Sequence, residues 1–146
     1  MNIKYSRYST HASRVIPYVL GILVLFVVTI LTSSCITGSG STVKSSELNT
    51  TTKMSMTYEN FTGYRQTKVK VKENTPIVIR VDFVTESGEL DAYIARDNNL
   101  ELSSYEGNNV PTSSFTVTLS EAGIYTIRID AKNHTGSFSF SWGKLK

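Results

Sequence analysis

Ile77-Val78-Ile79-Arg80-Val81-Asp82-Phe83 decides how this chain folds. Successive side chains on a strand point to opposite faces. Ile77, Ile79, Val81 and Phe83 therefore share one face, and Arg80 and Asp82 lie on the other. This is the pattern of a strand with one side in a core and one in water. It recurs in both directions from here. Upstream, Val69 and Val71 alternate with Lys68, Lys70 and Lys72, and Met54, Met56 and Tyr58 with Ser55 and Thr57. Downstream, Leu90, Ala92 and Ile94 alternate with Asp91 and Tyr93, and Phe115, Val117 and Leu119 with Thr116 and Thr118. Tyr125, Ile127 and Ile129 then alternate with Thr126, Arg128 and Asp130, and Phe138, Phe140 and Trp142 with Ser137, Ser139 and Ser141. Leu100-Glu101-Leu102 offers a short eighth strand.

Turn-forming clusters separate these runs: Glu73-Asn74-Thr75-Pro76, Glu86-Ser87-Gly88, Asp97-Asn98-Asn99, Glu106-Gly107-Asn108-Asn109, Glu121-Ala122-Gly123 and Lys132-Asn133-His134-Thr135-Gly136. No segment after Cys35 carries a 3.6-residue period long enough for a stable helix. Many short alternating strands with regular turns predict an all-β domain, a two-layer antiparallel β-sandwich (jelly-roll-like) of 7–8 strands over residues 54–146. Phe138, Phe140 and Trp142 are expected in its core.

The N-terminal part reads differently. Lys4, Arg7 and Arg14 precede an uncharged run from Val15 to Leu31, and small Ser33 and Ser34 lead to Cys35, the one cysteine of the sequence. A basic start, an apolar stretch and small residues make the pattern of an export signal. Leu31-Thr32-Ser33-Ser34-Cys35 resembles the lipobox of bacterial lipoproteins, although Thr32 stands where leucine is usual. The resemblance implies a diacylglycerol on the Cys35 thiol, cleavage before it, and a domain held on the outer face of the cell membrane. The alternative is an uncleaved anchor helix, but a helix over Val15–Leu31 spans about 25 Å, short of the roughly 30 Å of a hydrocarbon core. The expected domains are thus a signal segment at 1–34, a lipidated cysteine with a linker at 35–53, and the sandwich at 54–146. Eleven of the 18 residues 36–53 are Ser, Thr or Gly, which reads as a flexible tether.

The net charge of +3 belongs to the precursor, because Lys4, Arg7 and Arg14 all precede Cys35 and the remainder balances. A neutral domain lacks the basic stripe that nucleic-acid binding requires. With no cysteine after Cys35, the exported part must be stable through its core alone.

Gly88-Glu89-Leu90-Asp91-Ala92-Tyr93-Ile94, with Ala122-Gly123-Ile124-Tyr125-Thr126-Ile127-Arg128-Ile129 and Gly136-Ser137-Phe138, is similar to the bacterial pre-peptidase C-terminal family of β-sandwich domains. The family's opening strand is missing, and Tyr64 to Val71 is only a loose substitute. The resemblance implies a non-catalytic module for binding or stability.

Catalytic chemistry finds little support. A nucleophile triad needs a histidine base held by a carboxylate. The one histidine after Cys35 is His134, in what reads as a solvated turn. Zinc needs three or four close His, Cys or acidic ligands, which are not present. Calcium needs only oxygens, and Asp82, Glu86, Glu89, Asp91 and Asp97 are close in sequence, but no ordered calcium loop is formed and Arg80 and Arg96 can pair these acids. No catalytic or metal-binding residue and no cofactor is therefore assigned. No facing carboxylate pair stands out for glycoside cleavage, and there is no phosphate-binding Gly-x-x-x-x-Gly-Lys run.

The candidate ligand contacts are Tyr64, Tyr93 and Tyr105, whose rings can stack on sugars or partners, and the row Lys68, Lys70, Lys72. That row reads either as a site for an anionic polymer or headgroup, or as an edge protected against strand addition. The expected function is a lipid-anchored, non-catalytic binding or envelope-associated module whose partner is a wall polysaccharide or an envelope protein. The alternatives are a small surface enzyme acting on carbohydrate or peptidoglycan, and an inhibitor of a secreted enzyme presenting residues 103–112.

Overall fold

The computed structural model describes residues 35–145. The expected signal segment at 1–34 lies outside the described residues. Seven antiparallel strands follow: β1 (Thr37–Val43), β2 (Ser46–Thr50), β3 (Lys53–Val71), β4 (Ile77–Arg96), β5 (Ser103–Gly107), β6 (Ser113–Leu119) and β7 (Gly123–Lys144).

Three of these strands are long, and each runs through two sheets. The alternating sets read as separate strands are joined in pairs: Met54–Tyr58 with Val69–Val71 in β3, Ile77–Phe83 with Leu90–Ile94 in β4, and Tyr125–Ile129 with Phe138–Trp142 in β7. Each strand bends where its halves meet. In β3 the buried set changes from even numbers (Met54, Met56, Tyr58) to odd (Phe61, Thr67, Val69, Val71) across register shifts between Tyr58 and Gly63. In β4 it changes from Ile79, Val81 and Phe83 to Leu90, Ala92 and Ile94 across shifts between Thr85 and Glu89. In β7 it changes from Ile127, Ile129 and Ala131 to His134, Phe138 and Phe140. Extra residues at such bulges bend a strand and let it pass from one sheet to another.

Two of the sequence's turn signals are these bends. Gly88 and Gly136 have φ of 80° and 144°. A Cβ on Gly88 would collide with the Asn133 carbonyl oxygen, and one on Gly136 with that of Val84. Glycine is needed here for its backbone angles and for the close approach of β4 to β7.

The first sheet is ordered β2, β3 (53–58), β7 (136–144), β4 (77–85), β6, and the second β1, β3 (60–71), β7 (123–134), β4 (87–96), β5. Without β1 and β2, eight strand segments remain in two four-stranded sheets, and the chain crosses between them as in a jelly roll. The expected two-layer sandwich is therefore the fold. Its inner faces share one core that includes Met54, Met56, Phe61, Phe83, Ile94, Ile129, Phe138 and Phe140. The layers also meet at both margins. Tyr105 of β5 packs on Phe115 of β6 with ring centres 4.7 Å apart, and Arg65 of β3 reaches Glu47 of β2 at 2.7 Å.

Three expectations are corrected. Residues 36–53, read as a flexible tether, supply β1 and β2, which pair with β3 and extend each sheet by one strand. Leu100–Leu102 is a single 3₁₀ turn rather than a strand, with the Asn99 side chain accepting from the Glu101 amide at 3.0 Å. Trp142 is only half-buried, at the margin of the core.

Candidate functional site

The outer face of the second sheet brings together residues from three strands. Tyr64 on β3, Asp130 on β7 and Asp91 on β4 stand abreast. The next row holds Gln66, Arg128, Tyr93 and, on β5, Glu106. Their inward neighbours Ile127, Ile129, Ala92 and Ile94 are buried, which fixes these side chains on the outer face.

Arg128 is the centre of this group. Its Nε and Nη2 donate to Asp130 Oδ2 and Oδ1 at 2.8 and 2.6 Å. Its Cζ lies 4.3 Å from the centre of the Tyr64 ring. The hydrogen bonds to Asp130 raise the Arg128 pKa further. A planar guanidinium fixed by a forked carboxylate and an aromatic ring loses little freedom on taking a further partner. Tyr93 follows Arg128 across the sheet, and its hydroxyl donates to Asn98 Oδ1 at 3.1 Å. Tyr64, Tyr93 and Arg128 are each half-buried, so the group forms a shallow platform. It offers ring surface, a fixed cation and the carboxylates of Asp91, Asp130 and Glu106.

Of the candidate ligand contacts, Tyr64 and Tyr93 share this platform. Lys68 lies on the same face one row beyond Gln66, Lys70 lies near the end of β3, and Lys72 follows its last residue. All three lysines are exposed and make no ion pair among the described residues. β1 ends opposite Gln66, so β3 beyond that residue pairs only with β7. The lysines therefore do lie on an edge. Tyr105 is elsewhere: it faces inward against Phe115, and burial raises its pKa. Cys35 is exposed just ahead of β1.

His134 corrects a further expectation. It is 0 % exposed rather than solvated. Its Nδ1 lies 2.9 Å from the Tyr58 hydroxyl and its Nε2 3.1 Å from Thr85 Oγ1. Thr85 Oγ1 donates to the Val110 carbonyl at 2.8 Å, so it accepts from Nε2–H. The Tyr58 hydroxyl then donates to Nδ1. His134 is thus a neutral brace joining β3, β4 and β7 at their bends. Its sequence signal was misleading because a bend between two strand segments uses the same residues as a hairpin tip.

Three of the acids considered for calcium have other partners. Asp82 accepts from Ser114 at 2.5 Å, Asp91 from the Asn109 amide at 2.7 Å, and Glu89 pairs with Lys132 at 3.4 Å. Arg96 pairs with Glu121 instead. Among the described residues no three His, Cys, Asp or Glu side chains converge as a metal site would require.

No protein-family model matches the chain, and neither does any curated protein sequence. Among solved structures, it is similar to a carbohydrate-binding module in complex with β-1,4-galactotriose, at 15% identity and TM-score 0.44, over 77% of this chain and 90% of that one. It is also similar to a family 35 carbohydrate-binding module from Clostridium thermocellum, at 12% identity and TM-score 0.39, over 74% and 88%. A module of Cellvibrio mixtus lichenase 5A in complex with cellotriose matches at 16% identity and TM-score 0.37, over 78% and 90%. These TM-scores all lie below 0.5, and the jelly roll follows from the strand order itself.

Proposed function

We propose that this is a non-catalytic binding domain, held by a lipid on Cys35 at the outer face of a cell membrane, whose ligand is a polysaccharide lying across the second sheet. The platform of Tyr64, Arg128 and Tyr93 carries this reading. Sugar rings present C–H faces that pack on aromatic rings, and hydroxyls that take hydrogen bonds from a guanidinium and give them to carboxylates. A shallow face spread over three strands suits a chain of sugar units better than a single small molecule. Support for the anchor comes from the lipobox-like Leu31–Cys35 and from the exposure of Cys35.

One arrangement favours a second reading. Asp91 and Asp130 are cross-strand neighbours, and two adjacent carboxylates are what a carbohydrate-cleaving enzyme uses. Here both oxygens of Asp130 are taken by Arg128, and Asp91 holds the Asn109 amide. Their geometry suits binding. Release of reducing ends from a wall glycan, abolished in Asp91→Asn, would establish the enzyme instead.

The binding reading is tested by affinity electrophoresis through gels containing cell-wall and plant polysaccharides. At least one glycan should retard the protein. Tyr64→Ala and Tyr93→Ala should each weaken that retardation roughly tenfold, about 1.4 kcal/mol, while Ser139→Ala on the opposite sheet leaves it unchanged. Retardation that both tyrosine variants retain in full would overturn the assignment.

A further inference from the structure

We infer that the second sheet's lysine edge is a docking surface for anionic phospholipid headgroups, so that the domain lies against the bilayer instead of standing off on a tether. The inference rests on the proposed lipid anchor at Cys35 and fixes the orientation that follows from it.

The first observation is that no spacer is available. Ile36, next to Cys35, packs against the core, and β1 begins at Thr37. The anchoring residue is therefore set by the fold to within one residue. Thr37, the last partner of this antiparallel ladder, sits opposite Gln66, so Cys35 lies two residues past the ladder's end, on the side toward Lys68. Neighbouring strands lie about 5 Å apart. An acyl chain leaving Cys35 thus enters the membrane beside Lys68.

The second observation is charge. Lys68 and Lys70 project from one side of β3 and Lys72 follows its last residue, a row of about 13 Å because alternate residues advance by roughly 6.6 Å. Lys44 and Lys132, by contrast, pair with Glu59 and Glu89. Ile124, opposite Lys70, is 46% exposed and places an apolar side chain within the basic row. The acids nearby are fewer: Asp97 shares a shallow hollow with Lys68, and Glu73 follows Lys72. Three cations without an ion pair among the described residues, around an apolar contact and near the proposed point of lipid attachment, complement a negatively charged membrane surface. The Tyr64–Arg128–Tyr93 platform lies on the same face, roughly 7–13 Å from Lys68 along the strands. Protection of an edge strand explains lysines there, but requires no anionic surface.

The test is amine labelling of the full chain on vesicles. Mass spectrometry first reads the Cys35 peptide. If it carries an acyl chain, the protein is reconstituted through that chain. If it carries a bare thiol, the anchor reading fails, and the protein is coupled to a maleimide lipid through Cys35, its only cysteine, so the docking question is still answered. Labelling is compared on phosphatidylcholine vesicles with and without about a third phosphatidylglycerol. Each lysine near an anionic surface gains about fivefold in partition. Labelling of Lys68, Lys70 and Lys72 should therefore drop about fivefold on the anionic vesicles, with Lys44 and Lys132 unchanged. In hydrogen exchange the parent should gain protection at Ile124 on the anionic vesicles, and a Lys68→Glu/Lys70→Glu/Lys72→Glu variant, which keeps the edge charged, should lose that gain. Equal labelling of the three lysines on both vesicles would overturn the inference. So would protection by a soluble polyanion but not by vesicles, which would make the row a polymer site.

Discussion

His134 Nδ1 accepts from a tyrosine and its Nε2–H donates to a threonine, so its surroundings are arranged for the neutral ring. Burial lowers its pKa, against a weaker opposing pull from Glu86. The folded value thus lies below the unfolded one of about 6.5, and the unfolded chain takes up the proton first. The stability this contributes is fully present above about pH 6.5 and is lost as pH falls through the folded value. Urea midpoints should therefore drop between about pH 7.5 and about pH 5 in the parent, and drop less in His134→Gln. An equal drop in both would remove His134 as the cause. Thr67 is the opposite kind of residue. It is 1% exposed on an inner face, and its hydroxyl has no hydrogen-bond partner among the described residues. Thr67→Val keeps the shape and removes the buried hydroxyl, and should stabilise the protein by about 1 kcal/mol in the same assay. A loss of stability would show that the hydroxyl is satisfied in solution.

The elements are governed by the bends in β3, β4 and β7. Gly136→Ala would place a methyl against the Val84 carbonyl at a φ that disfavours any side chain, and should cost at least about 2 kcal/mol by urea unfolding. Phe140→Ala, in the core of the first sheet, should cost about 3–5 kcal/mol, and a cost below about 1 kcal/mol would contradict its burial. What the sequence made legible divides along the same lines. Alternation located the apolar faces because side-chain period is local, and Met54, Ile79, Leu90, Ile127 and Phe138 are all buried where it put them. The joining of these runs into bent strands was not legible. Lys132–Gly136 carries the residues of a turn, and only pairing with β3 and β4 makes it a bend. β1 and β2 were missed for a related reason. Their residues are almost all exposed, so no apolar pattern marks them, and they form by hydrogen bonding to an edge that β3 supplies. Tyr64 and Tyr93 were legible as aromatics outside the core sets, whereas Arg128 gained its meaning only when β7 was placed between β3 and β4.

At the scale of the whole molecule, folding three strands over themselves yields two outer faces of different chemistry. The first sheet presents mostly short hydroxyls, with Ser55, Ser137, Ser139, Ser141, Thr116 and Thr118. The second presents tyrosines, an arginine and acids, and ends in the lysine row. The proposed recognition face is assigned to the second, because rings and fixed charges give both area and direction to a contact, whereas a hydroxyl surface is already well satisfied by water. The most direct test of this assignment is to titrate the isotopically labelled protein with the oligosaccharide of the best-retarding glycan and map backbone amide shifts. The changes should cluster at Tyr64, Gln66, Tyr93, Arg128 and Asp130 and leave Ser137, Ser139 and Ser141 unmoved. Changes centred on the serine face, or none at saturating sugar, would contradict it.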